Sequence, residues 1–357
     1  MGADGASKLA HGLDLFDRRF PLFPEMGLEP VVAPEKVLVT GCSGFIGRAL
    51  AAGCLREGMT VRGSVRSEAG RRRLPQDVEP VYISDIGPET DWSAALRGVE
   101  AVVHLAACVH QLPEGRTCLD AEHYRVNALG TDRLAQAAAA AGVRRFVFLS
   151  SVKVHGEGRE TPYTEDDRTA PQGPYAASKL AAEHALRRVA GESRMQVVVL
   201  RPPLVYGPGV GGNFNRLIRL VERRIPLPFA SVHNRRSLVY VGDLVAAILA
   251  GLKHPAAAGR TFLVANDDAP ATPTIIREIA QALTVRARLF PCPPRLLHVA
   301  GSLLGKRAEF RRLTETLWVV ALRIRRELGW RPTTPLSEGL TAAVAAYRRD
   351  TCDGARA

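Results

Sequence analysis

No apolar run in this chain approaches the length of a membrane span. The six cysteines (Cys42, Cys54, Cys108, Cys118, Cys292, Cys352) contain no C-x-x-C pair and no histidine-containing zinc spacing. That removes the usual structural metal frameworks, and no metal is expected. The cysteines read as reduced thiols of a cytoplasmic protein. Aromatic residues make up only 6% of the chain, with no base-stacking array, so a nucleic-acid role has only the basic surface to rest on. The first 34 residues hold no continuous apolar core, which excludes a secretory signal, and they read as a disordered extension with Met26 an alternative start. Repeats of solenoid length are missing too.

What is present is ordinary in hydrophobicity (46%) and charge content (24%), in 357 residues that suffice for two lobes. The net charge of +12 is not ordinary. Such a basic excess favours anionic partners, among them nucleotides and sugar diphosphates. The alternative is a proteome that writes Arg wherever Lys would serve, and Lys is indeed scarce.

The informative stretch is Lys36-Val-Leu-Val-Thr-Gly-Cys-Ser-Gly-Phe-Ile-Gly47. Val37 to Val39 reads as a strand buried on both faces, and Arg48 to Leu55 as a helix. Between them, Gly41 allows a tight turn, Gly44 lets backbone approach a pyrophosphate, and Gly47 lets helix and sheet pack closely. The free N–H groups that open the helix, around Phe45 and Ile46, then face an anion.

Further along, Thr60–Val65, 81–84, 101–107, 146–149 and 196–200 read as strands, with helices over 91–97, 127–141 and 175–189 between them. This alternation predicts an α/β fold, a Rossmann-type doubly wound parallel sheet, over residues 35–200. The proline- and glycine-rich texture from Arg201 marks a departure into a smaller, mostly helical C-terminal substrate lobe, 201–236 and 266–350. Residues 237–265 return to the sheet, with Asp243 placed to cap a helix over 244–252, and 351–357 form a tail. Leu296 to Leu304, flanked by Arg295, Lys306 and Arg307, has two readings, a packed lobe helix or a peripheral membrane contact. The run is short, which favours packing.

Tyr175-Ala-Ala-Ser-Lys179 places a phenol and an ammonium one helical turn apart. A free Tyr has a pKa of about 10, and an adjacent cation favours its phenolate. That suits proton exchange with a carbinol during hydride transfer. The pair arises easily by chance, so its position matters more. Ser151 ends the fifth strand at the same sheet edge as the glycine turn, where ligands of open α/β sheets sit.

Taken together, Thr40 to Gly47, Asp85-Ile86, His104-Leu-Ala-Ala107, Ser150-Ser151, Tyr175-x-x-x-Lys179, Arg201-Pro-Pro-Leu-Val-Tyr-Gly-Pro-Gly209 and Arg236 ahead of Val241-Gly-Asp243 resemble the extended short-chain dehydrogenase/reductases, the nucleotide-sugar epimerase/dehydratase family. The resemblance is greatest to bacterial UDP-sugar 4-epimerases and 4-ketoreductases of surface-polysaccharide pathways. It implies that Ser151, Tyr175 and Lys179 are a catalytic triad, with Lys179 also on the nicotinamide ribose. It further implies that Asp85 and Ile86 meet adenine, and that Leu105, Ala106 and Ala107 run along the cofactor. Asn213 and Arg236 would hold the substrate diphosphate, and a homodimer is possible.

Val152 and Lys153 occupy the positions where sugar dehydratases of that family carry an acidic pair, which argues against dehydration. His155 replaces the family's usual Tyr, and towards the C-terminus only Leu328-Gly-Trp330 matches well. After the second strand no acid appears before Glu68, whereas Ser64 and Arg66 can receive a 2′-phosphate. The lean is therefore to NADP over NAD. With it goes a lean to reduction of a 4-keto UDP-sugar, ahead of 4-epimerisation with tightly held NAD. A catalytically silent NAD(P)-binding regulator is the reading from another class, although such chains commonly lose the Tyr or Lys.

Overall fold

The computed structural model describes residues 34–109, 120–303, 305 and 307–354. The extension expected before residue 34, Cys118, Lys306 and the last three residues of the tail lie outside them. The described chain runs β1 (Lys36–Thr40), α1 (Phe45–Arg56), β2 (Thr60–Val65), α2 (Glu68–Arg71), β3 (Glu79–Tyr82), α3 (Ser93–Leu96), β4 (Ala101–His104), α4 (Asp120–His123), α5 (Gly130–Ala140) and β5 (Arg145–Leu149). It continues with α6 (Pro174–Gly191), β6 (Gln196–Arg201), β7 (Leu204–Tyr206), α7 (Gly212–Glu222), β8 (Leu238–Tyr240), α8 (Val241–Lys253), β9 (Thr261–Leu263), α9 (Thr272–Ala282), α10 (Pro294–Leu303), α11 (Arg307–Thr314), α12 (Leu322–Leu328) and α13 (Leu336–Gly354).

Seven strands form one sheet in the order β3-β2-β1-β4-β5-β6-β9, with every pair parallel. Strand order reverses between β1 and β4, the switch point of a Rossmann-like sheet. Val37, Val39 and Val147 face one buried layer; Leu38, Phe146 and Phe148 face the other. Each large side chain withdrawn from water in this way stabilises the fold by about 1.5–3 kcal/mol. A third core, from Tyr206 to Tyr347, gathers α7, α9 and α13.

Several elements differ from expectation for identifiable reasons. The helix expected from residue 127 begins instead as a π-turn over Tyr124–Leu129, continuing into α5. The expected strand at 237–241 forms as β8 but pairs with β7 in a separate two-stranded sheet; only β9 reaches the main one. Asp243 does not cap its helix. It sits buried in the first turn of α8 and accepts hydrogen bonds from Thr333 N and Oγ1 and from Thr334 N. A residue 90 positions distant thus outcompetes the local backbone. Among the cysteines, Cys42, Cys54 and Cys292 are free, but Cys108 is disulfide-bonded, which corrects the reading of it as a reduced thiol. Among the described residues no helix is long and apolar enough to cross a membrane.

Candidate active site

Because β1, β4 and β5 are parallel neighbours, the residues after Thr40, His104 and Leu149 leave the sheet side by side at its carboxyl edge. After β1, Gly41 adopts φ +68°, and a Cβ there would meet Ala106 N at 2.9 Å. Gly44 N donates to Gly41 O at 3.0 Å and then opens α1 with no side-chain cap. The helix-opening N–H groups near Phe45 and Ile46 are thus left for an anion. Gly47 packs so closely that a Cβ would stand 2.2 Å from Gly41 O. A turn with glycine at 41, 44 and 47, pressed onto Ala106 and ending at a helix start with no side-chain cap, fits a dinucleotide pyrophosphate.

Thr40 holds the two turns in register, a role missed in the sequence. Its Oγ1 accepts from Leu105 N and Ala106 N, both at 3.2 Å, and lies 2.6 Å from His104 Nδ1. His104 Nε2 lies 3.0 Å from Thr131 Oγ1, which itself donates to the Asn127 carbonyl. Thr131 therefore accepts from Nε2–H, and Nδ1 accepts from Thr40, a neutral tautomer. Burial, then Lys179, push the His104 pKa down to about 3. An unfolded chain would bind a proton here near the ordinary value of 6.5. Hence this group's contribution is complete above about pH 6.5 and is lost as pH falls towards about 3. His104→Gln should move the acid-unfolding midpoint, followed by circular dichroism, to lower pH; a fixed midpoint would show that His104 does not govern it.

At the end of β5 and on α6, the structure brings Ser151, Tyr175 and Lys179 together. Tyr175 and Ser151 share a side-chain hydrogen bond. Lys179, 2% exposed, places Nζ 4.2 Å over the Phe148 ring. The ring of His123 meets Tyr175 edge-on at 6.0 Å. The protonation expected from the sequence is corrected here. Although Tyr175 is only half-buried as a residue, burial of its hydroxyl pushes the phenol up to about 12, with Ser151 opposing. Burial likewise pushes Lys179 down to about 7, with Glu183 opposing. Burial, not the other member of the pair, is the largest cause of each shift.

Glu183, fully buried one turn beyond Lys179, was another residue missed. It accepts from Ser150 Oγ at 2.6 Å and from Arg201 Nε and Nη2 at 2.9 and 2.5 Å. Arg201 also lies 2.9 Å from His155 Nε2, so the replaced Tyr has become a member of a buried polar network under the site. Glu183 was detectable as the next acid on the face of Tyr175 and Lys179.

The remaining predicted residues are less tightly gathered. Ser64 is buried in β2, whereas Arg66 is exposed just beyond it with no ion pair among the described residues. Glu68, the nearest acid, accepts from Tyr82 and pairs with Arg71. Asp85 is held 2.6 Å from Arg125, and Ile86 is buried. Asn213 is exposed in the first turn of α7 and is not brought to any other site residue by a hydrogen bond. Arg236 donates Nη1 to the Glu315 carbonyl at 3.2 Å, and burial lowers its pKa.

Comparison with known proteins agrees with this fold. Residues 37–265 match the model of the NAD dependent epimerase/dehydratase family. A UDP-glucose 4-epimerase of Vibrio cholerae is 37% identical over 318 residues, covering 88% of this chain and 96% of the relative. A UDP-glucose 4-epimerase of Mycolicibacterium smegmatis is 32% identical over 330 residues, covering 88% and 98%. The solved structure of MoeE5 in complex with UDP-glucuronic acid and NAD superposes with a TM-score of 0.72 at 26% identity, covering 88% and 99%. With its glycine turn, its Rossmann-like sheet and a family match across most of that sheet, this chain belongs to the NAD dependent epimerase/dehydratase family.

Proposed function

We propose that this enzyme transfers hydride at C4 of a UDP-linked sugar, as a 4-epimerase. The observation that carries the reading is the hydroxyl pair Ser151–Tyr175 beside Lys179, at the edge that also bears the glycine turn. The similarity to two UDP-glucose 4-epimerases supports the substrate class and the reaction. When bound, the nicotinamide dinucleotide supplies the hydride acceptor and donor. Tyr175 takes the proton from O4 of the sugar and returns it, and Ser151 holds the same oxygen. Lys179 sits one turn away, where it can bind the cofactor ribose and favour the phenolate as its own charge forms. The turn at Gly41, Gly44 and Gly47 holds the pyrophosphate; Leu105, Ala106 and Ala107 line its path, with Asp85 and Ile86 towards the adenine.

One observation favours a second reading, reduction of a 4-keto UDP-sugar with NADPH. Arg66 stands unpaired among the described residues where a 2′-phosphate would arrive, while Glu68 is engaged elsewhere. Arg66→Asp should shift the NADP-to-NAD affinity ratio towards NAD by roughly tenfold or more, the loss of one charge-assisted contact. An unchanged ratio removes Arg66 from cofactor choice. The experiment that separates the two readings is release and identification of the nucleotide retained through purification, followed by incubation with UDP-glucose. Stoichiometric NAD with formation of UDP-galactose supports the epimerase. A protein that retains no nucleotide, takes up NADPH and forms no galactose supports the reductase.

A further inference from the structure

Two residues beyond Ser151, in the 3-10 turn Val152–His155, stands Lys153. Its backbone N–H donates to Ser151 Oγ at 3.3 Å, so it is tied to the candidate catalytic hydroxyl. Its ammonium lies 2.9 Å from Glu157 Oε1, and the two side chains are only 27% and 14% exposed. Burial lowers the Lys153 pKa, with Glu157 opposing and Arg312 and Arg236 acting in the same direction as burial. For Glu157, burial alone would raise the carboxyl, but Lys153, Arg236 and Arg312 more than offset it.

These four groups therefore form one cluster, and it spans the two ends of the proposed substrate. Ser151 marks the reacting carbon; Arg236 marks the diphosphate. Backbone contacts fix the span, because Gly158 N donates to Thr316 O at 3.0 Å and Arg236 bridges to Leu317. The neighbours Arg311 and Glu315 neutralise each other through a bidentate pair at 2.6 and 3.0 Å. Arg312 has no ion pair among the described residues. Lys153, Arg236 and Arg312 against Glu157 thus leave an excess of two positive charges within the cluster.

A half-buried excess of that kind attracts an anion. The diphosphate of a nucleotide sugar, about two negative charges, balances it with nothing left over for a charged sugar. We propose that Lys153 and Glu157 grip the hexose between the reacting carbon and the diphosphate, and that this charge balance selects an uncharged sugar over a hexuronic acid. Lys153 donates to a hydroxyl or acyl oxygen of the ring; Glu157 accepts from a hydroxyl and repels a carboxylate. The inference rests on the nucleotide-sugar reading given above.

Calorimetry with the full chain tests it, using UDP, UDP-glucose, UDP-N-acetylglucosamine and UDP-glucuronate as probes. The wild-type protein should bind the uncharged sugars about tenfold or more tighter than UDP-glucuronate. Glu157→Gln should shift that ratio towards the glucuronate by roughly tenfold, with UDP itself bound no more weakly. Lys153→Met should weaken the uncharged sugars by roughly tenfold more than it weakens UDP, and it serves if Glu157→Gln fails to fold. Wild-type preference for the glucuronate, or a ratio unmoved by Glu157→Gln, overturns the inference and leaves the nucleotide-sugar reading intact. Failure to bind UDP at all overturns that reading, and the inference with it.

Discussion

Replacing Tyr175 with Phe should lower turnover by roughly a thousandfold, within the range attributed to general acid–base groups. The substitution removes one oxygen from α6 and keeps the ring, so packing against His123 survives. What is lost is the hydrogen bond with Ser151 and the only phenol at the triad. Cofactor affinity should be nearly unchanged, because the glycine turn and Lys179 remain. The loss should appear in kcat and in kcat/KM alike, the pattern of an interaction made in the transition state. Steady-state kinetics with parallel titration of the dinucleotide checks both halves. Substantial residual turnover would remove Tyr175 from the acid–base role, whereas an equal loss of cofactor affinity would recast it as a binding residue.

Gly47→Ala should be nearly as damaging, through the backbone rather than through chemistry. The added Cβ would stand 2.2 Å from Gly41 O, 2.7 Å from Cys42 Cα and 2.8 Å from Cys42 O. All three are main-chain positions, so no flexible side chain can yield, and the turn itself must be displaced from α1. Overpacking of this kind costs about 3 kcal/mol of stability. The displaced N–H groups should also weaken dinucleotide binding by roughly a hundredfold, since anion binding at a helix start depends on their aim. Gly58→Ala is the matched control: its φ is +76°, and a Cβ there meets nothing within 4 Å. It should cost only the backbone strain, about 1 kcal/mol, and leave cofactor affinity alone. Thermal denaturation and a binding titration on the two variants provide the comparison; equal affinities would mean that the turn does not cradle the cofactor.

The fold and the catalytic edge were legible in the sequence for a physical reason. Strands buried on both faces, such as Val37–Val39 and Phe146–Leu149, are continuous apolar runs, and the glycine triplet from Gly41 to Gly47 gains its meaning by following one of them directly. Tyr175 and Lys179 announced themselves by helical spacing together with Ser151 at the sheet edge of the glycine turn. Their protonation did not, because spacing reports neighbours whereas the pKa of each is dominated by burial, a property of the whole layer. Contacts across long sequence separations were equally hidden. Asp243 reads as a helix cap until Thr333 and Thr334 are folded against it. Lys153 seemed only a missing acid, yet Glu157, Arg236 and Arg312 converge on it from three segments. The pairing of β8 with β7 was illegible for the same reason, since a short apolar strand carries no record of which edge it will join.

The account rests on hydride passing between a sugar carbon and a nicotinamide in the crevice bounded by Gly41 and Tyr175. The direct measurement is to incubate the protein and its nicotinamide dinucleotide with UDP-glucose carrying deuterium at C4, and to follow the label. The deuterium passed to the nicotinamide returns to C4, so UDP-galactose formed by the wild-type protein should keep its label, and Tyr175→Phe should form it only at background. If no UDP-galactose forms, if its label is lost to water, or if Tyr175→Phe forms it equally well, the proposed chemistry is wrong.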